Sequence, residues 1–312
     1  MMDDRKLADL IAAMPPLRGR MQSGLVLAPN TWFRVGGAAE FLVRPADTED
    51  LCAFLAHLPL EIPVFTMGAA SNLIVRDGGI NGVVIRLVRG FGDIVVDEAG
   101  ITAGAGALDA TVAEHALQAG LTGLEFLSGV PGTVGGAVAM NAGAYGGDVA
   151  SVLDWAEIVT RQGEVLRLSA GELGFSYRHS RLPPESVVVR ARFAAKDGDA
   201  SLIAARMAEI RTSREATQPV RARTGGSTFR NPPGEKAWAL IDSAGCRGLI
   251  MGGAQGSEKH CNFLINTGTA TAADLESLGE EVRARVKTTS MISLEWEIKR
   301  VGIPGPASVL PV

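Results

Sequence analysis

Cysteine, long apolar runs and excess basic charge are all scarce in this chain. Only three cysteines occur in 312 residues, Cys52, Cys246 and Cys261. They are odd in number, and their spacing suits neither a disulfide framework nor a zinc knuckle, so a reducing cytoplasm and no metal are expected. Cys261 beside His260 invites a metal or thiol-nucleophile reading, but no second ligand pair stands in reach, and a free cysteine is ordinarily a packing residue. No segment approaches the roughly 18 to 20 apolar residues of a membrane span, which argues against a membrane partner. A net charge of -4 and a pI near 5.7 lack the cationic excess that tracks a phosphate backbone, so no nucleic-acid partner is expected. The stretch MMDDRKLADLIAAM opens with two acids and has no cationic region before a long apolar core, so it does not read as a secretory signal. Two nucleotide signatures are also missing. GAGALD at 104–109 begins G-x-G but lacks the third glycine, and no G-x-x-x-x-G-K-[ST] occurs, which disfavours a Rossmann or P-loop enzyme.

What is present is a composition of 46% hydrophobic and 21% charged residues, that of a soluble globular protein long enough for about two domains. The pattern is α+β. A short leading helix is followed by the strand EFLVRP, the helix DTEDLCAFLAHL capped by Asp47, and the short strands IPVFTM, GVVIRLV, DIVVD and GITAGAG. The helix ALDATVAEHALQAG closes at Gly120, where a left-handed residue is favoured. LDWAEIVT, EVLRLS and VVVRARFAA read as strands of an antiparallel sheet, and one domain closes near residue 197. A second α+β domain then holds a helix capped by Asp199, the helix EKAWALIDSAG, the strand NFLIN, a helix with Leu275, Leu278, Val282 and Val286 on one stripe, and the strand MISLEWEIKRVG. The tail IPGPASVLPV is Pro-rich.

The stretch SGVPGTVGGAVAMNAGAYGG, Ser128 to Gly147, has seven glycines in twenty residues. Glycine tolerates positive φ and lets a ligand approach the main chain, so such clusters often bind phosphate through backbone N–H groups. Tight turns and close packing of the chain on itself are the competing explanation, and composition does not separate the two.

The motifs NTWFRVGG (30–37), GAASNLIV (68–75), GLTGLEFLSGVPGTVGGAVAMNAGAYGG (120–147), SYRHSRLP (176–183), GGSTFRNP (225–232), AGCRGLIMGGAQGSEKHCNFLIN (244–266) and LEWEIKRVG (294–302) together resemble the MurB family, the UDP-N-acetylenolpyruvoylglucosamine reductases of peptidoglycan synthesis. The resemblance runs from about residue 24 to 302, and SYRHS with no long insertion before GGSTFRNP points to the shorter form of the family. It implies the FAD-binding fold of the vanillyl-alcohol-oxidase type, two α+β subdomains, plus a C-terminal α+β substrate domain. The boundaries it suggests are an extension over 1–23, an FAD-binding domain over 24–197 with subdomains of about 24–87 and 88–197, a substrate domain over 198–302, and a tail over 303–312.

The same resemblance implies roles. FAD, held non-covalently, would lay its diphosphate against Gly129, Pro131, Gly132, Gly135, Gly136, Asn141 and Gly143, with Gly68, Ser71 and Asn72 as a second wall and Arg34 close by. The family has glycines where this chain has Ala69 and Ala70, and left-handed backbone there would cost an alanine about 1 kcal/mol. NADPH would load the flavin with hydride, and UDP-N-acetylglucosamine-enolpyruvate would receive it and become UDP-N-acetylmuramate. Arg178 would hold the carboxylate and spread the developing charge, Ser227 would donate a proton, and Glu297 matches the family's catalytic glutamate. Strand alternation alone offers Glu295 and Glu297 equally as solvated charges. Asn231, Gln255, Ser257, Lys259 and His260 would line the UDP-sugar or nicotinamide region. Two other readings stay open: a flavin-dependent sugar or alcohol oxidase of the same fold, and a nucleotide-binding module without catalysis.

Overall fold

A computed structural model describes residue 14 and residues 16–305. The leading helix expected within the first fourteen residues, and the end of the tail over 306–312, lie outside the described residues. The chain forms two compact units that are discontinuous in sequence. One holds the described residues up to Ser23 with Phe41–Gly68 and Gly82–Ile210; the other holds Gly24–Glu40, Ala69–Asn81 and the described residues from Arg211 onward. This differs from the linear division expected near residue 197, because hydrogen bonds tie the two early segments to the C-terminal end. Leu73–Val75 pairs in parallel with Lys299–Val301, and the buried Asn266 side chain donates to the Phe33 carbonyl at 2.7 Å.

The first unit carries two cores. A four-stranded sheet runs in the order Arg20–Val26, Ala38–Arg44, Ile80–Ile85, Val64–Thr66, and the helix Thr48–His57 buries Leu51, Phe54 and Leu55 against it with Val43, Ile62 and Val83. As expected, the Asp47 carboxylate accepts from the Asp50 N–H at 2.9 Å and starts that helix. At its other end the buried Arg161 guanidinium donates to the carbonyls of Leu55, Leu58, Pro59 and Ile62, satisfying groups a helix end leaves orphaned.

The second core lies under a five-stranded antiparallel sheet ordered Val165–Ser169, Leu153–Val159, Val187–Ala194, Gly100–Gly104, Ile94–Asp97. Val112, Ala113 and Ala116 of the helix Asp109–Gln118, and Val134, Ala137 and Val138 of the helix Val134–Met140, are buried with its inward-facing Ile101, Ile158 and Ala191. Gly120, at φ 69°, closes the first of these helices in the conformation expected of it.

In the other unit, a three-stranded antiparallel sheet of Ile250–Met251, Ala254–Gly256 and Leu264–Asn266 packs with the helices Ala237–Ser243 and Ala272–Ser290. Leu275, Leu278, Val282 and Val286 form the buried stripe predicted from their spacing, each worth roughly 1.5 to 3 kcal/mol of burial. Thr271 and Asp274 form a reciprocal capping box at the start of the longer helix. The expected strand over 291–302 is regular only at Lys299–Val301, with an isolated bridge between Phe229 and Trp296. Its alternation nevertheless holds, since Leu294 and Ile298 are buried and Glu295 is exposed.

The Trp296 ring explains why the longer helix tolerates a glycine in its interior. A Cβ added at Gly279 would stand 2.1 Å from Trp296 Cη2. That ring is already held by Glu280 Oε1 on its N–H at 2.8 Å, by Phe229 at 5.0 Å between centroids, and by Arg300 above it. Gly279→Ala would gain about 1 kcal/mol of helix propensity, but overpacking costs about 1 to 3 kcal/mol. The expected outcome is net destabilisation, read as a lower urea midpoint at unchanged slope.

Candidate functional site

The glycine-rich stretch meets the protein's own atoms more often than expected. Residues 105–109 run beside 132–135: Val134 and Gly135 donate their N–H groups to the carbonyls of Ala107 and Ala105 at 3.0 and 2.9 Å, and Asp109 N–H donates to Gly132 at 3.2 Å. Those two amides are therefore committed within the protein rather than free for a diphosphate. The absence of a side chain is likewise explained by packing at several positions. A Cβ at Gly135 would sit 3.0 Å from Ala105 Cβ, one at Gly129 2.6 Å from the Tyr145 ring, and one at Gly143 2.8 Å from Asp148 Cβ. Packing of the chain on itself thus accounts for the missing side chain at these three glycines. Gly136 is different: it is exposed, and a Cβ there meets nothing nearer than Thr133 Oγ1 at 3.8 Å. Gly68 faces the same hydroxyl, since a Cβ on it would lie 2.5 Å from Thr133 Oγ1. Thr133 thus joins the two glycine segments of this unit, a role its place in SGVPGTVGG did not signal. Pro131 is half-buried in the same loop.

Several candidates adopt left-handed backbone. Arg34, Ala70, Asn141, Tyr145 and Arg178 have φ between 45° and 58°, which costs a side-chain-bearing residue about 1 kcal/mol and marks positions where the fold or function demands it. Ala70 thus carries the strain expected of an alanine in a glycine position, whereas Ala69 does not. Asn141 ends the helix Val134–Met140; its side chain accepts from Ala150 N–H at 2.9 Å and donates to the Ser176 carbonyl at 3.1 Å. Ser176 and His179 exchange both backbone hydrogen bonds, so Tyr177 and Arg178 occupy the tip of a two-residue turn. The Arg178 Nη1 atom lies 3.2 Å from where a Gly143 Cβ would be. Asn141, Gly143 and Arg178 therefore form one local cluster in the first unit.

Ser227 and Glu297 belong to the other unit, where the residue after Ser227 pairs with Glu297. The Thr228 carbonyl accepts from Glu297 N–H at 2.8 Å, and Arg230 N–H donates to the Glu295 carbonyl at 2.9 Å. The Asn72 side chain donates to the Glu297 carbonyl at 3.2 Å, and its own carbonyl accepts from Lys299 N–H at 3.1 Å. Asn72, expected as a flavin wall, therefore also fastens the glutamate strand; Ser71 beside it is half-buried. Arg34 in this unit directs its guanidinium to the Pro29 carbonyl.

The five residues expected to line the substrate lie in this second unit, and most of them direct polar groups into the protein. Asn231 Oδ1 accepts from Ala237 N–H at 3.0 Å at the start of a helix, and the Lys259 ammonium donates to the Glu215 carbonyl. His260 stacks edge-on against Phe263 at 4.8 Å, and burial pushes its pKa below the usual imidazole value, so it is a neutral ring at pH 7 rather than a cation. Gln255 is half-buried in the central strand of the small sheet. Ser257 is buried, its hydroxyl accepting from the N–H groups of Lys259 and His260 at 3.2 Å.

Residues 39–169 match the family model of the FAD binding domain, and residues 218–301 match that of the UDP-N-acetylenolpyruvoylglucosamine reductase C-terminal domain. A UDP-N-acetylenolpyruvoylglucosamine reductase from Acidiphilium cryptum is 68% identical over 298 residues, 96% of either chain. The chain belongs to the UDP-N-acetylenolpyruvoylglucosamine reductase family. The reductase of Granulibacter bethesdensis is 63% identical over 92% of this chain and 93% of its own. The crystal structure of the MurB reductase from Thermus caldophilus matches with a TM-score of 0.79 at 37% identity, covering 91% of this chain and 99% of that one. In fold alone, 6-hydroxy-D-nicotine oxidase from Arthrobacter nicotinovorans is similar, with a TM-score of 0.56 at 14% identity over 90% of this chain and 89% of its own. The fold is the FAD-binding type expected from the motifs, joined to the reductase C-terminal domain.

Asp109 was not singled out by any motif. It is fully buried, both carboxyl oxygens lack a hydrogen-bond partner among the described residues, and desolvation pushes its pKa up to about 8. The folded state therefore holds a proton that the unfolded chain releases near pH 4. This stabilisation is complete below that pH and is lost as pH rises towards about 8, by an amount on the order of several kcal/mol. Asp109→Asn, with a permanently neutral amide, should flatten the fall in stability between pH 5 and 8, measured by urea denaturation at both values. For the glycines, Gly136→Val should lower the flavin content of the purified protein with little effect on the melting of the apoprotein. Gly135→Ala should lower that melting temperature itself, because its Cβ meets Ala105.

Proposed function

We propose that the chain is an NADPH-dependent flavoenzyme that reduces UDP-N-acetylglucosamine-enolpyruvate to UDP-N-acetylmuramate, a step of peptidoglycan precursor synthesis. The observation that carries this reading is the ladder joining the peptide after Ser227 to Glu297, found in a chain that matches both the FAD-binding and the reductase C-terminal families. The residues present fit FAD, since Gly136 offers a cradle that a side chain would fill, beside Thr133 and Gly68. Gly68, Thr133 and Gly136 would hold its diphosphate. Bound FAD supplies hydride, loaded from NADPH, to the terminal carbon of the enolpyruvyl group.

The chain's own residues then manage charge and proton. Hydride arrival leaves negative charge on the substrate α-carbon and its carboxylate. Arg178, a planar and permanently charged guanidinium, would bind that carboxylate and spread the charge. Its left-handed backbone supports the role, because a glycine or asparagine would occupy that turn without strain. Ser227 Oγ would give its proton to the α-carbon; a hydroxyl is a weak acid in water, but the carbanion-like centre is a strong base. Glu297, half-buried where Glu295 is exposed, would polarise the enol or resupply the proton. The three free thiols support placement in a reducing cytoplasm. Among the described residues no helix is long and apolar enough to cross a membrane.

An oxidase of the same fold would have no use for the reductase C-terminal domain, in which the residue after Ser227 pairs with Glu297, and this favours the reductase. Ser227→Ala should leave reduction of the flavin by NADPH intact while reoxidation by the enolpyruvyl sugar slows about 100- to 10,000-fold. Stopped-flow absorbance of the two half-reactions reads both, and wild-type rates in both would remove the serine from the mechanism.

A further inference from the structure

The segment that carries Ser227 is held on its other edge by one residue, through both its main chain and its side chain. Asn262 is buried within the largely apolar run CNFLIN, where an amide is tolerated only if its groups are bonded. Its Oδ1 accepts from Phe229 N–H at 3.0 Å and its Nδ2 donates to the Phe229 carbonyl at 2.9 Å, while its own carbonyl accepts from Thr228 N–H at 2.7 Å. The side-chain amide thus imitates a neighbouring strand for one residue. The Thr228 peptide is bonded through its N–H to Asn262 and through its carbonyl to Glu297. Ser227 is covalently attached to that N–H, so these backbone bonds, together with the two that the Asn262 side chain makes to Phe229 one peptide further on, set where its hydroxyl stands relative to the glutamate backbone. Phe229 is buried with its ring on Trp296, leaving the segment little freedom to rotate.

We propose that Asn262 is a positioning residue for the protonation step: it touches no reacting atom, and acts by fixing the backbone register from which Ser227 reaches the substrate α-carbon. This rests on Ser227 being the proton donor. Small misplacements of a catalytic group are costly, so Asn262→Ala should slow reoxidation of the flavin by the enolpyruvyl sugar about 10- to 100-fold while reduction by NADPH stays within about threefold. In a Ser227→Ala background the same change should add no further loss to reoxidation, because nothing is left to position. Asn262→Asp retains the shape and the acceptor facing Phe229 N–H, and should recover part of the rate.

Thr271→Ala removes the cap of a helix in the same unit without touching this clamp, and should leave the ratio of the two half-reactions at the wild-type value. Equal slowing of both half-reactions in Asn262→Ala, an additive loss in the double variant, or the same change of ratio in Thr271→Ala would overturn the positioning role. Should Asn262→Ala fail to fold, the ratio in Asn262→Asp decides the matter by the same criterion. A Ser227→Ala enzyme that reoxidises at the wild-type rate would instead strike at the proton-donor assignment, a result distinguishable from failure of the clamp.

Discussion

The requirement that buried backbone groups find partners shapes the candidate residues of each unit. In the second unit Thr228 is fully buried, so its N–H and carbonyl must be bonded. Asn262 and the strand bearing Glu297 meet that need from opposite edges. In the first unit the same rule commits the amides of Val134 and Gly135 to the 105–107 segment. Satisfaction of the backbone therefore decides which peptide groups remain for a ligand, and it commits the Gly135 amide that the glycine-rich motif had suggested.

A second constraint is local strain. Arg34, Ala70, Asn141 and Arg178 all hold left-handed backbone, and three of them were proposed from motifs as binding or catalytic residues. Asn141 shows how such a conformation is stabilised, with its amide bonded on both sides to chain segments well removed in sequence. Arg178 is held by a turn whose ends exchange two hydrogen bonds, so the conformation is imposed on the residue at its tip. Asp109 adds a different kind of cost, a carboxyl kept neutral by desolvation beside the glycine-rich loop.

Much of the fold was legible because its signals are local. Asp47, Gly120 and Asp199 act on residues within four positions of themselves, and the stripe Leu275, Leu278, Val282 and Val286 follows from helix period alone. The last strand was overextended, since alternation from Ile292 to Lys299 is a property of extended chain and does not require a paired neighbour. The site was legible through ordered motifs that named Arg178, Ser227 and Glu297. Asn262 and Asp109 gave no such signal: each is a polar residue in a mainly apolar context, and its significance comes from partners found, or missing, in space.

The amino-acid order by itself settled the α+β pattern, the helix caps, the lack of a membrane-length apolar run and the motif set that points to the family. Those depend on composition and on neighbours a few residues apart. The reason for each glycine, the grouping of Gly24–Glu40 and Ala69–Asn81 with the C-terminal unit, and the pairing of Thr228 with Glu297 were decided only by tertiary structure. Each depends on whether a distant segment supplies an atom at about 3 Å, and no local propensity encodes that distance.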